Sequence, residues 1–128
     1  EVGPVATEFE QEDIGVTLAK CQRYYQKWLA DTTYDSVATG TAVGDVLFIA
    51  GYSLRQTMRA VPTLSTTGDF EALIATNGRA ASSIAINRAT KDTVGIGFTI
   101  ADNNENGISG IFRVANDDDG FIEFIAEL

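Results

Sequence analysis

The chain has no histidine, one cysteine, two prolines and a single tryptophan, and each shortage closes off some chemistry. Without histidine there is no Ser-His-Asp triad, no Cys-His dyad and none of the common His-rich zinc sites, which removes most hydrolases. The lone Cys21 has no intrachain disulfide partner and no histidine base to activate it, so a buried structural thiol is expected. Basic residues are also scarce, nine Lys and Arg against 18 Asp and Glu for a net charge of −9. Along the chain they are scattered from Lys20 to Arg113 instead of gathering into a stripe. Nucleic acid and anionic membrane both demand a positive field, so neither is an expected partner. The acidic excess reads as a solubility device for an abundant surface protein. No apolar run approaches the roughly 20 residues that cross a bilayer, so no membrane insertion is expected. Glu1-Val2-Gly3-Pro4 lacks the basic and apolar regions of a secretory signal and reads as the middle of a longer protein.

What is present suits one globular domain. With 128 residues, 45% of them hydrophobic and 21% charged, a chain of this size hides roughly two-thirds of its unfolded surface without help from metals or disulfides. Residues 1–12 are expected to connect to an upstream domain, and 13–128 to form the domain itself. Asp13 can cap a helix whose apolar residues Ile14, Leu18, Cys21 and Tyr25 fall at helical spacing. Tyr24, Tyr25 and Trp28 are also good strand residues, so the aromatic cluster can equally begin the first strand.

Beyond residue 30 short apolar or alternating runs are divided by Gly, Asp, Asn, Ser and Thr, which predicts antiparallel strands near 46–53, 57–66, 71–76, 82–88, 93–100, 110–115 and 120–127. Asn77-Gly78, Asn106-Gly107 and Asp119-Gly120 tolerate the positive φ of tight turns. Residues 30–44, rich in Thr, Gly, Ala and Asp, read as a surface loop. The expected fold is all-β, a jelly-roll-like antiparallel β-sandwich with a short N-terminal helix. Val46-Leu47-Phe48-Ile49-Ala50 and Gly120-Phe121-Ile122-Glu123-Phe124-Ile125 are apolar on both faces, which suggests that another copy of the chain covers part of the surface.

No catalytic or cofactor site is expected. Gly95-Ile96-Gly97 lies inside an apolar strand and lacks the third glycine and following helix of a dinucleotide loop. Asp102-Asn103-Asn104-Glu105-Asn106-Gly107 matches the first half of a calcium loop, but Arg113 stands where the bidentate Glu belongs, so an Asn-Gly hairpin is the expected reading. Asn116-Asp117-Asp118-Asp119-Gly120 has Ala115 and Ala126 at the first and twelfth positions and reads as a solvated turn. Two carboxylates suffice for a glycosidase, and 18 acids leave a glycan-depolymerising domain as an alternative. Trp28, Tyr34 and Tyr52 are candidate contacts, either stacking on sugar rings or lying in core or subunit interface.

Leu18-Ala19-Lys20-Cys21-Gln22-Arg23-Tyr24-Tyr25-Gln26-Lys27 resembles the L-x-x-C-Q-R-Y-Y signature of C-terminal modules in bacteriophage tail-fibre and virion structural proteins. Thr57-Met58-Arg59-Ala60-Val61-Pro62-Thr63 looks like that family's M-R-A-x-P-T strand, Gly97-Phe98 like its late Gly-Phe, and Ala126-Glu127-Leu128 like its terminal A-E-L. The segment from Glu1 to Glu10 is similar to the connector that joins such modules to a preceding β-sandwich. The Lys27-Trp28-Leu29-Ala30 continuation departs from the pattern. The resemblance implies a structural role for Cys21, Arg23, Tyr24, Tyr25, Met58, Arg59 and Pro62, a virion location, a homotrimer, and contacts with other virion proteins and a host surface polysaccharide. Arg23 and Arg59 would each hold a carboxylate or strand carbonyls, and Pro62 would sit where no ladder N–H is required. The other reading from this resemblance is a capsid-decoration or trimerisation cap with no ligand.

Overall fold

Strand placement follows from alternation. In Phe70-Glu71-Ala72-Leu73-Ile74 the first, third and fifth residues are buried and the others half-buried, and the same period of two runs through Phe121–Ile125. The computed structural model describes residues 12–101, 106–116 and 119–127, so the expected connector lies almost wholly outside the described residues. One helix, α1 (Ile14–Gln22), precedes nine strands: β1 (Tyr25–Leu29), β2 (Ser36–Val43), β3 (Leu47–Ser53), β4 (Thr63–Thr67), β5 (Phe70–Ile74), β6 (Asn77–Ala89), β7 (Thr93–Ile100), β8 (Ser109–Val114) and β9 (Phe121–Ile125).

Among the described residues the fold is all-β with one short helix, as the sequence predicts, but the expected sandwich is replaced by a closed barrel. Six strands run in the order β2-β3-β7-β6-β5-β8, and β8 pairs back on β2, every pairing antiparallel. The interior is filled by rings: Phe48, Phe98, Phe112 and Phe70 form a chain with successive centroids 5.2, 4.6 and 5.3 Å apart. Closure around such bulk needs room elsewhere. Gly40 of β2 and Gly110 of β8 are cross-strand partners, and a Cβ on Gly110 would stand 3.0 Å from Phe48 Cε2, while one on Gly40 would collide with Phe48 Cε1 and the Ile49 carbonyl. Glycine there lets one ring cover two strands.

The remaining strands form a second antiparallel sheet, β1-β9-β4. Its inner face packs on one end of the barrel, where Tyr52, near the end of β3, stacks on Phe124 at 4.9 Å and 19°. Ile122 and Phe124 are fully buried, and Trp28 and Leu64 pack on the same core.

Several expectations are corrected. Residues 30–44 are no loop: β2 occupies most of the segment, its small residues forming barrel wall. Within 57–66 only the second half is strand, because the Met58 and Arg59 N–H groups are taken by Lys91 O and Arg23 O, on different segments. The β5-β6 hairpin turns at Ala75-Thr76, with Ala75 at φ 54, two residues before the expected Asn77-Gly78. Gly78 instead stands where a Cβ would strike the Glu71 carboxylate. Asp13 caps α1 as expected, accepting from Gly15 N at 2.8 Å. No residue of the helix is buried, however; Ile14 is 84% exposed and Cys21 is exposed. Barrel and sheet bury each other's apolar faces, so Cys21 is not the buried thiol expected, and Tyr25 belongs to β1.

Candidate functional site

Segments far apart in sequence meet at the end of the three-stranded sheet where β1 starts. The Arg59 N–H donates to Arg23 O at 2.7 Å, and the Ala126 N–H donates to Tyr24 O at 2.8 Å. The Arg59 guanidinium donates to the Tyr24 phenol oxygen at 3.1 Å, with its carbon 5.6 Å from that ring's centre. Cys-Gln-Arg-Tyr-Tyr, Met-Arg-Ala-Val-Pro-Thr and the Ala126 segment therefore form one seam. Met58 and Pro62 are buried in it, and Pro62 precedes β4, outside the ladder. Arg59 holds a phenol instead of the carboxylate or strand carbonyl anticipated. Gly97-Phe98 lies apart, in barrel strand β7.

Gln26 locks this seam. It is the one buried polar side chain among the described residues: its amide donates to Gln22 O at 3.0 Å and Gln56 O at 2.6 Å, and its carbonyl accepts from Arg55 N at 2.8 Å. A buried amide with its bonds made fixes a geometry, because any slip leaves a polar group unpaired. Pattern reading missed Gln26; a lone Gln among exposed-looking neighbours carries no periodic signal.

The outer face of the same sheet carries Tyr25, Lys27 and Leu29 from β1, Phe121, Glu123 and Ile125 from β9, and Thr63, Ser65 and Thr67 from β4, in register. The Tyr25 phenol donates to Glu123 at 2.6 Å. The Lys27 ammonium lies 3.9 Å from Glu123 and 3.6 Å from the Phe121 ring centre. The Glu123 carboxylate, accepting from Tyr25, raises that phenol's pKa. Leu29 is 54% and Tyr25 44% exposed. The face thus offers aromatic surface, one acid, one ammonium and a row of hydroxyls.

The three aromatic candidates do not form one site. Tyr52 and Trp28 pack on the core from β3 and β1, and burial pushes the Tyr52 phenol up. Tyr34 is exposed at φ 63, with the Arg113 guanidinium 4.6 Å from its ring centre. Arg113 also binds Glu71, at 2.7 Å through Nε and 2.5 Å through Nη2. Residues 102–105 of the proposed calcium loop and 117–118 of the acidic turn lie outside the described residues. Among the described residues no cluster of three or more potential metal ligands occurs, and no helix is long and apolar enough to cross a membrane. No family model, curated protein or solved structure matches the chain.

Proposed function

We propose that this chain is a non-catalytic module of a bacteriophage particle, a tail-fibre or surface-fibre terminal domain that contacts a host cell-surface glycan. The observation that carries the reading is the outer face of β1-β9-β4, where Tyr25, Phe121, Lys27, Glu123 and the Thr63, Ser65 and Thr67 hydroxyls stand together on a rigid support. Protein sites for sugars combine aromatic area with a few fixed polar groups, and a sheet locked by Gln26 supplies that fixity. The motif seam supports the same reading, since the segments that resemble fibre modules are those that build this sheet's end. In the proposed homotrimer, three weak sites per fibre gain affinity through repetition. A glycan array probed with the isolated chain tests the reading: binding that Tyr25→Ala and Lys27→Ala both weaken is expected. A blank array points instead to the decoration or trimerisation cap, which the exposed Leu29 and Tyr25 would also serve. Release of reducing ends from a polysaccharide would return the depolymerase.

A further inference from the structure

The basic residues that are scattered along the chain do not stay scattered in space. Arg23 and Arg59 are joined by the Arg59 N–H to Arg23 O bond of 2.7 Å. Lys91 is joined to the same group by the Met58 N–H to Lys91 O bond of 2.8 Å. Arg55 is tied in twice, through its own N–H to the Gln26 carbonyl at 2.8 Å and through the Leu54 N–H to Asp92 O at 2.9 Å. Arg88 belongs to the same hairpin as Lys91 and lines a cleft of about 500 Å3 with Ala89, Thr90, Thr93 and Gly95. All five side chains are exposed. Five of the nine basic residues of a chain with net charge −9 thus occupy one end of the molecule.

Of the acids at this end, Glu12 is paired with Lys20 and Glu123 with Lys27. Asp92, which accepts from Thr57 Oγ1 at 2.5 Å, and Asp13, which caps α1, keep their charge; with Glu127 they leave the five cations in excess. Asp31 and Asp35 lie past the far end of β1, four strand residues or about 14 Å from Tyr25. The Debye length decides what a ligand feels: it is about 8 Å at physiological ionic strength, so the distant acids are screened while the local cations are not.

We infer that this end binds an anionic polysaccharide, one whose sugars carry carboxylates or other fixed negative charges. The inference rests on the glycan-contact reading above and names its chemical class. Guanidinium groups of Arg23, Arg55 and Arg59 pair with carboxylates, and Arg88 and the Thr90 and Thr93 hydroxyls hold an adjoining sugar in the cleft. The exposed Tyr24 ring, beside the Arg59 guanidinium, offers a stacking surface within the patch. Charge density favours a glycan over nucleic acid. A duplex presents one negative charge per roughly 1.7 Å and is held by long positive tracks, which a short patch on an acidic protein does not provide.

The test measures binding of the full chain to polygalacturonate, dextran and duplex DNA, with an Arg23→Glu, Arg55→Glu, Lys91→Glu triple variant whose fold is checked by thermal melting. Polygalacturonate is expected to bind at least about tenfold more tightly than dextran, and the triple variant to lose about tenfold or more while melting cooperatively. Affinity should peak at intermediate salt. At 0.01 M the Debye length of roughly 30 Å exposes the polyanion to the whole acidic molecule, and at 1 M, where it is about 3 Å, the patch itself is screened. Dextran binding equal to polygalacturonate, unchanged in the variant, overturns the anionic class and leaves the glycan reading standing. Absence of binding to either polysaccharide overturns both. Tighter binding to DNA than to polygalacturonate assigns the patch to nucleic acid and overturns the inference. Should the triple variant fail to melt cooperatively, Arg55→Gln and Lys91→Gln singles serve, and no weakening in either overturns it.

Discussion

In the barrel every strand has a neighbour on both sides, because β8 closes back on β2; in the three-stranded sheet only β9 does. Closure removes edges and turns the apolar faces inward, so the barrel wall can be built from small and polar residues such as Ser36–Val43. The open sheet keeps two edge strands and a mixed outer face where Tyr25 and Leu29 remain in solvent. The barrel turns its large rings inward and leaves Val43 and Val46 exposed at the β2-β3 turn; the sheet keeps Tyr25 and Leu29 exposed on an open face. The two nonetheless share a continuous core through the Tyr52–Phe124 stack.

The sharpest way to break this comparison is to empty each side of that core. Phe112→Ala, in the barrel, and Phe124→Ala, in the sheet, should each cost about 3–5 kcal/mol in denaturant unfolding, since both rings are fully buried. They should differ in hydrogen exchange. Phe112→Ala is expected to speed exchange throughout, whereas Phe124→Ala accelerates β1, β4 and β9 first; identical exchange maps would show that the sheet is not a separable unit.

A second pair tests closure itself. Gly40→Ala drives a methyl into Phe48 and the Ile49 carbonyl and should cost about 1–3 kcal/mol. Gly51→Ala, also on the wall but with nothing within 4 Å of the new Cβ, should be neutral or stabilise by roughly 0.5–1 kcal/mol. Equal thermal shifts for the two would mean that Phe48 is not wedged between glycines.

On the sheet side, Gln26→Leu removes three hydrogen bonds and leaves the Arg55 N–H and two carbonyls to find other partners, an expected loss of about 1–3 kcal/mol in denaturant unfolding. A loss under about 0.5 kcal/mol would show that water replaces the amide without cost.

The smallest effect is alkaline. Tyr25 and Tyr52 have folded pKa values raised above the ordinary 10.0, by the Glu123 hydrogen bond and by burial respectively. The folded state therefore holds these protons longer than the unfolded one. That stabilisation is complete below pH 10 and disappears as pH rises through the folded values. Tyr52→Phe, which keeps the ring stack on Phe124, should flatten the alkaline fall in melting temperature more than Tyr25→Phe, because Tyr25 is solvent-screened. The reverse order would place the stronger coupling on the sheet's outer face.

Particular residues show how much was legible beforehand. The Asp13 cap and the strands around Phe48, Phe98 and Phe112 stand out because capping residues and short apolar or alternating runs between turn residues are local signals. Residues 36–43 misled because Ser-Val-Ala-Thr-Gly-Thr-Ala-Val lacks bulky apolar side chains; the bulk facing Gly40 comes from Phe48, on the neighbouring strand. Residue type makes Trp28 and Tyr52 candidates, but it does not say which face of a strand turns inward, and both pack on the core. The lack of a disulfide partner and of a histidine base says what Cys21 does not do and not where it lies, and its helix packs no residue into the core.

Composition and local pattern alone thus determine an all-β domain with a capped helix, without histidine chemistry and with an acidic balance, since residue counts do not depend on folding, and capping and strand patterning depend on residues a few positions apart. Closure into a barrel, the seam locked by Gln26, and the gathering of Arg23, Arg55, Arg59, Arg88 and Lys91 were decided only by the tertiary structure. Those features depend on hydrogen bonds, backbone and side-chain, between segments dozens of residues apart, and pairing at that range is set by how the whole core closes.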